Sequence, residues 1–395
     1  MRGFFLLLLP CAVLSSPALS WFSASDTHLG HDAGIGANRT TSFTKNVWAV
    51  HEMNSLPGSA ATWPASLGGG QILPPAGVTV SGDLIDSGIG PATTYNGCAQ
   101  WENFTALYGL NGTDGLLKYR VYEGRGNHDG AFSKSKPTEP RAQTQPQPVL
   151  PHQTGKNSSL TPPQGCAHSP SGWVIARNAA RAADPAFNVV GVSQPTGLHY
   201  SWTWNISATC AVHFVHLNLF PGRECGSAEN PAGEGTPPPG FPCTDGDLAW
   251  AENSLGFLEA DLAAHGGPGV MTVTIQHYGF DGFSNGWYNA DQRVELLATL
   301  SKSNPLVLLV GHTHTAEVYS YNGTEMAPWG TKGFVDVINA PATQKEDGKG
   351  NPLPSEFMVI EAAMDSPTAT TGTLRVAQRV GSGWGTVLAK KSFQC

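Results

Sequence analysis

The chain is short of charge. Aspartate, glutamate, lysine and arginine make up 13% of it, against about 25% in ordinary soluble domains. Lysine and arginine number 22 against 30 acidic residues, for a net charge of -8, and they form no basic block. That balance argues against a nucleic-acid backbone as the main partner, because phosphate tracking needs a basic stripe. No CxxC pair occurs, which argues against a thiolate zinc site. Beyond the first 20 residues no apolar run is long enough to cross a bilayer, and the C-terminus carries no hydrophobic tail suited to a lipid anchor. No internal repeat is visible.

What is present starts at the N-terminus. MRGFFLLLLPCAVLSSPALS has one basic residue, an apolar stretch over residues 4–14 and then small residues. This predicts a signal peptide over residues 1–20, cleaved after Ser20, with cleavage after Ala18 as the alternative. The expected destination is extracellular, or the lumen of a vacuole or lysosome. Of seven cysteines, Cys11 leaves with the signal. Cys98, Cys166, Cys210, Cys225, Cys243 and Cys395 remain, an even set that predicts up to three disulfides in any of fifteen connectivities. Cys225 and Cys243 bracket a Gly/Pro-rich loop and are the favoured local pair. Six Asn-X-Ser/Thr sequons, at Asn38, Asn103, Asn111, Asn157, Asn205 and Asn322, predict a glycoprotein. Glycans would supply the solubility that charge does not.

Strand-like and helix-like runs alternate along residues 21–395. Strands are expected at 21–25, 78–81, 119–122, 211–217, 270–275 and 306–310, with helices over 42–55, around Leu255, Leu258 and Leu262, and from about Ala290. From about residue 317 the pattern turns to short strands. Residues 135–170 and 226–242 are Pro-rich and read as loop insertions. The expected fold is a single α/β domain with two packed mixed β-sheets flanked by helices.

Five short polar blocks stand out. They are Asp26-Thr27-His28, Gly82-Asp83-Leu84-Ile85-Asp86, Gly126-Asn127-His128-Asp129, a lone His277, and Gly311-His312-Thr313-His314. Four of the five directly follow an apolar, strand-type run, which gathers them at the carboxyl ends of neighbouring strands. Carboxylates, imidazoles and an amide without thiolate suit Zn, Mn or Fe. His216 is the main rival to His277, but more strand follows it, whereas His277 ends its strand before a Gly-containing loop. Tyr278 and Phe280, next to His277, either line a substrate pocket or pack.

The order DxH, GDxxD, GNHD, H, GHxH resembles the calcineurin-like metallophosphoesterase superfamily, over about residues 21–321. The resemblance implies a four-layer αββα fold and a hydrolase in which two metal ions activate a hydroxide for in-line attack on a phosphoester. It implies Asp26, His28 and His314 on one ion, Asn127, His277 and His312 on the other, and Asp83 bridging both. His128 would act on the phosphate and the leaving oxygen, with Asp129 orienting its imidazole, and Asp86 would support a ligand from behind. Purple acid phosphatases have a tyrosine where Asp86 stands, so that subgroup is disfavoured. A phosphomonoesterase acting on small phosphoesters is expected. The alternatives are a phosphodiesterase resembling acid sphingomyelinase-like enzymes and, less favoured, a non-catalytic secreted metal-binding protein.

Overall fold

A computed structural model describes residues 17–30, 41–86, 97–129, 170–194, 196–223, 251–282, 284, 288–343 and 354–395. The favoured Cys225–Cys243 pair, most of the two insertions, and the Asn38 and Asn157 sequons lie outside these residues.

The first half contains β1 (Ala18–Ala24), α1 (Thr41–Ser55), β2 (Val78–Val80), α2 (Gly97–Tyr108), β3 (Val121–Glu123), α3 (Pro170–Ala183), β4 (Val189–Val192), β5 (Tyr200–Asn205) and β6 (Ala211–His216). The second half contains α4 (Ser254–His265), β7 (Val270–Ile275), α5 (Ala290–Leu300), β8 (Pro305–Val310), β9 (Glu317–Tyr321), β10 (Met326–Ala327), β11 (Val335–Asn339), β12 (Glu356–Met364), β13 (Thr371–Val380) and β14 (Gly383–Gln394). They form a six-stranded sheet, β14-β13-β12-β1-β2-β3, and an eight-stranded sheet, β10-β9-β11-β8-β7-β6-β5-β4. Both are mixed. The trio β1, β2 and β3 is parallel, as is the run β11, β8, β7 and β6, and the remaining pairs are antiparallel.

Alternation along the strands builds the layers. In β1, Leu19 and Trp21 face the second sheet, where Trp21 meets Phe214 edge-on at 5.3 Å. Phe22 and Ala24 face the other way, onto α1 and α2 through Val50, Met53 and Phe104. Beneath the second sheet, Val215, Leu308 and Val310 pack on Leu255 and Leu258 of α4 and Leu296 and Leu300 of α5. The order is therefore helices, sheet, sheet, helices. Strands of β8 type are buried on both faces, which is why residues 306–310 are an unbroken apolar run.

Cys210, at the foot of β6, bonds to the terminal Cys395, with Cα atoms 5.6 Å apart. Asn111, Asn205 and Asn322 are exposed and Asn103 is half-buried on α2. Among the described residues no helix is long and apolar enough to cross a membrane.

β1 begins at Ala18, and Leu19 and Ser20 pair with Ala362 and Glu361. Cleavage after Ala18 keeps those two pairs and cleavage after Ser20 removes them. N-terminal sequencing after expression in a secreting host is expected to start at Leu19, and a start at Trp21 would contradict this placement.

Candidate metal centre

All five blocks converge where the parallel strands of both sheets end. Backbone hydrogen bonds tie the loops directly to one another: Asp26 N–H to Gly82 O (3.0 Å), His28 N–H to Asp83 O (3.0 Å), and Gly311 N–H to His277 O (2.9 Å). Asp26, His28, Asp83, His312 and His314 all have positive φ, at 51°, 39°, 52°, 74° and 58°. Each such non-glycine residue costs on the order of 1–3 kcal/mol and persists where its surroundings hold it. Five in one pocket mark it as built for a task other than stability.

One carboxylate joins two groups of ligand atoms. Asp83 Oδ1 accepts the backbone N–H of His128 at 2.8 Å. Its Oδ2 lies 3.5 Å from His28 Nε2 and 3.1 Å from His277 Nε2. On the His28 side, His314 Nε2 is 3.1 Å from His28 Nε2 and 3.2 Å from Asp26 Oδ1. Asp26 Oδ2 accepts the N–H of His312 at 3.0 Å, which fixes the carboxylate. On the His277 side, Asn127 Oδ1 lies 2.9 Å from His277 Nε2. Asp26, His28, Asp83 and His314 form one group able to hold a cation, and Asp83, His277 and His312 form another.

The donor chemistry fits a cation. His277 Nδ1 lies 3.1 Å from the carbonyl of Ser81, an acceptor only, so Nδ1 carries the hydrogen of the neutral ring. Its Nε2 lone pair then meets Asn127 Oδ1 and Asp83 Oδ2, which are acceptors too. Three electron-rich atoms facing one point need a positive charge between them. Ligands held about 2.0–2.2 Å from a shared ion stand roughly 3–3.6 Å apart, which is the spacing seen on both sides of Asp83. Asp26 Oδ1 and Asp83 Oδ2 are also buried without a hydrogen bond. These groups of aspartate and histidine side chains could therefore hold metal ions.

In the absence of an ion the positive charge these atoms call for is a proton on the imidazoles, which the facing carboxylates hold there. Burial opposes charge on His277, but the Asp83 carboxylate overcomes it and carries the imidazole up to about 9. Burial likewise opposes charge on His28, yet the facing carboxylates of Asp26, Asp86 and Asp83 lift it to about 10. Burial would raise Asp26 and Asp83; the facing histidines hold both well below the usual carboxylate range. His312 goes the other way, to about 4, through burial and the neighbouring His277 charge.

His128 stands at the rim, its side chain 37% exposed. Its ring lies edge-on to His28 at 4.6 Å, and its Nδ1 is 2.7 Å from the carbonyl of Asp86. Asp86 also brings Oδ1 to 3.6 Å from His28 Nδ1. Asp129 differs from its expected role. Its carboxylate accepts backbone N–H groups from Leu84 (3.1 Å), Ile85 (3.0 Å) and Gly126 (2.8 Å), so it braces the Asp83 loop against the Asn127 loop. Burial and the Asp83 charge push it up to about 7 against those three bonds. Tyr278 and Phe280 are buried in the cluster over α4 and α5, with Phe280 stacked on Tyr321 at 4.0 Å. Packing is the role their burial supports, and Tyr278 also props His312 edge-on at 4.6 Å. His216 is satisfied elsewhere, with Nε2 3.2 Å from the carbonyl of Val80.

Two residues outside the blocks hold the site. Asn46 of α1 donates to Thr27 O at 2.8 Å and accepts from Tyr108 and Thr343 at 2.7 Å each. Asn218 links the β3 and β7 loops. An asparagine in the left-handed region just after a strand, at φ 59°, is the one local sign of it. The glycines matter through close approach. A Cβ on Gly82 (φ 122°) would stand 2.8 Å from His277 Nδ1, and one on Gly126 would run into Asp83 Oδ1 and its backbone N. Gly126→Ala is expected to weaken metal binding at least about tenfold, the scale of disturbed support around a metal site. Metal content after dialysis checks this, and wild-type content would refute it.

No family model matches the chain, and no curated protein matches it. Among solved structures the chain is similar to one described as GAP50, the anchor in the inner membrane complex of Plasmodium. That similarity runs to 12% identity with a TM-score of 0.47, covering 95% of this chain and 89% of that one.

Proposed function

We propose that this protein is a secreted phosphoester hydrolase of the calcineurin-like metallophosphoesterase type, working with two Zn, Mn or Fe ions. The observation that carries the reading is the place of Asp83 Oδ2, 3.5 Å from His28 Nε2 and 3.1 Å from His277 Nε2, shared by two sets of ligands. Asp26, His28 and His314 would hold one ion, Asn127, His277 and His312 the other, and Asp83 both. The chemistry supplied there by two bound cations is charge neutralisation of a phosphoryl group and acidification of a water.

The remaining work falls to the chain. His128 sits beside this cluster on its exposed side. A carbonyl only accepts, so the Asp86 contact assigns the ring hydrogen to Nδ1 and leaves proton exchange with the leaving oxygen to Nε2. Asp129 keeps the His128 loop seated by bonding backbone rather than by touching substrate. Small phosphomonoesters are the proposed substrates. The test is kcat/KM for an aryl phosphomonoester against the matching diester, using protein reloaded with Zn or Mn. A ratio well above one supports a phosphatase and a ratio well below one a phosphodiesterase. Hydrolysis of neither overturns the proposal.

A further inference from the structure

We infer that the Asn218 side chain positions the Asn127–His277 half of the metal site and not the Asp26–His28–His314 half, an inference that rests on the two-ion reading above. Asn218 follows β6 and is 1% exposed. Its Oδ1 accepts the N–H of Arg125 at 2.8 Å, two residues before Asn127. Its carbonyl shares the N–H of His277 with the carbonyl of Leu219, at 2.6 and 3.1 Å. One residue thus holds both loops from which the ligands of that half project.

The side chain that makes the Arg125 half of this link is itself clamped. Its Nδ2 donates to Leu198 O at 2.8 Å and to His199 Nδ1 at 3.0 Å. Its backbone N–H donates to His216 Nδ1 at 3.2 Å. Both imidazoles accept at Nδ1, so both carry their hydrogen on Nε2, which faces Glu252 O in one and Val80 O in the other, each at 3.2 Å. Both rings are buried, and burial pushes His199 to about 4 and His216 to about 3, which keeps them neutral as these bonds require. Val80 O also accepts the N–H of Gly124 at 3.0 Å. The ends of β2, β3, β6 and β7 and the start of β5 are joined through Asn218 and the two rings. The hydrogen bonds of Asn218 do not reach Asp26, His28 or His314, which are set by Gly82 O, Asp83 O and each other.

An amide is required at this point. A carboxylate keeps the acceptor for Arg125 and tolerates the left-handed backbone, but it faces Leu198 O and His199 Nδ1 with no hydrogen to give. Metal-stripped wild type, Asn218→Asp and Asn218→Gly would each be titrated with Co(II), followed by absorption. Wild type is expected to take up two equivalents. In both variants the first equivalent should bind with wild-type affinity and spectrum, while the second weakens about 10- to 100-fold. Asn218→Gly keeps the backbone freedom and answers the question should Asn218→Asp not fold. An unchanged second equivalent, or equal weakening of both, overturns the positioning role alone. Fewer than two equivalents on wild type overturns the two-ion reading and this inference with it.

Discussion

Asp83→Asn is expected to abolish hydrolysis by removing affinity for both ions at once. The carboxylate is 1% exposed and faces two imidazoles, His28 and His277, and its charge is what makes His277 basic. Removing one member of a buried charge pair costs about 3–5 kcal/mol, or roughly 10²- to 10⁴-fold in an equilibrium constant. Asparagine keeps the size and an oxygen for the N–H of His128, so the loop stays in place and the loss is electrostatic. Metal content by elemental analysis should fall from two equivalents towards none, with activity falling in step. A variant that retains both ions and its rate would show that Asp83 is not shared.

His128→Ala is expected to separate chemistry from metal binding. The backbone N–H that holds Asp83 survives the substitution, and Nδ1 of the ring meets the Asp86 carbonyl, not a proposed ligand. Two ions should therefore bind as in wild type while kcat falls about 10²- to 10⁴-fold, the usual contribution of a positioned acid or base. The deficit should be greatest for substrates with poor leaving groups and shrink for aryl esters, whose leaving oxygen needs little protonation. Equal losses across leaving groups would remove the proton-transfer role, and loss of metal would make His128 a ligand.

Much of this was legible in the residues, for identifiable reasons. Strands such as β8 are buried on both faces and so appear as continuous apolar runs. The site blocks are runs of consecutive residues in tight loops, so their order along the chain survives without coordinates. α3 is harder to read because its buried face mixes Trp173 and Val174 with polar residues: Arg177, Asn178 and Arg181 are buried, and both arginines bond to buried Glu123 of β3. Its hydrophobic spacing is broken by charges that are paired only in three dimensions. β14 is hidden for another reason, as it lies at a sheet edge with most residues partly or fully exposed, and its inward positions Val387, Ala389 and Phe393 are interrupted by Lys391. Asn218 and Asn46 act through bonds spanning 93 and 297 residues, which no local pattern reports. Asp129 and Phe280 show the opposite limit. The resemblance implies that Asp129 orients His128, and the residues leave Phe280 open between lining a pocket and packing; their bonds and burial are those of bracing and packing.

The central claim meets its most direct test in the rate of aryl phosphate hydrolysis by metal-stripped protein as Zn or Mn is returned in known equivalents. The account predicts no rate without metal and a plateau reached at two equivalents per chain. A rate independent of added metal, or none with both ions bound, would contradict it.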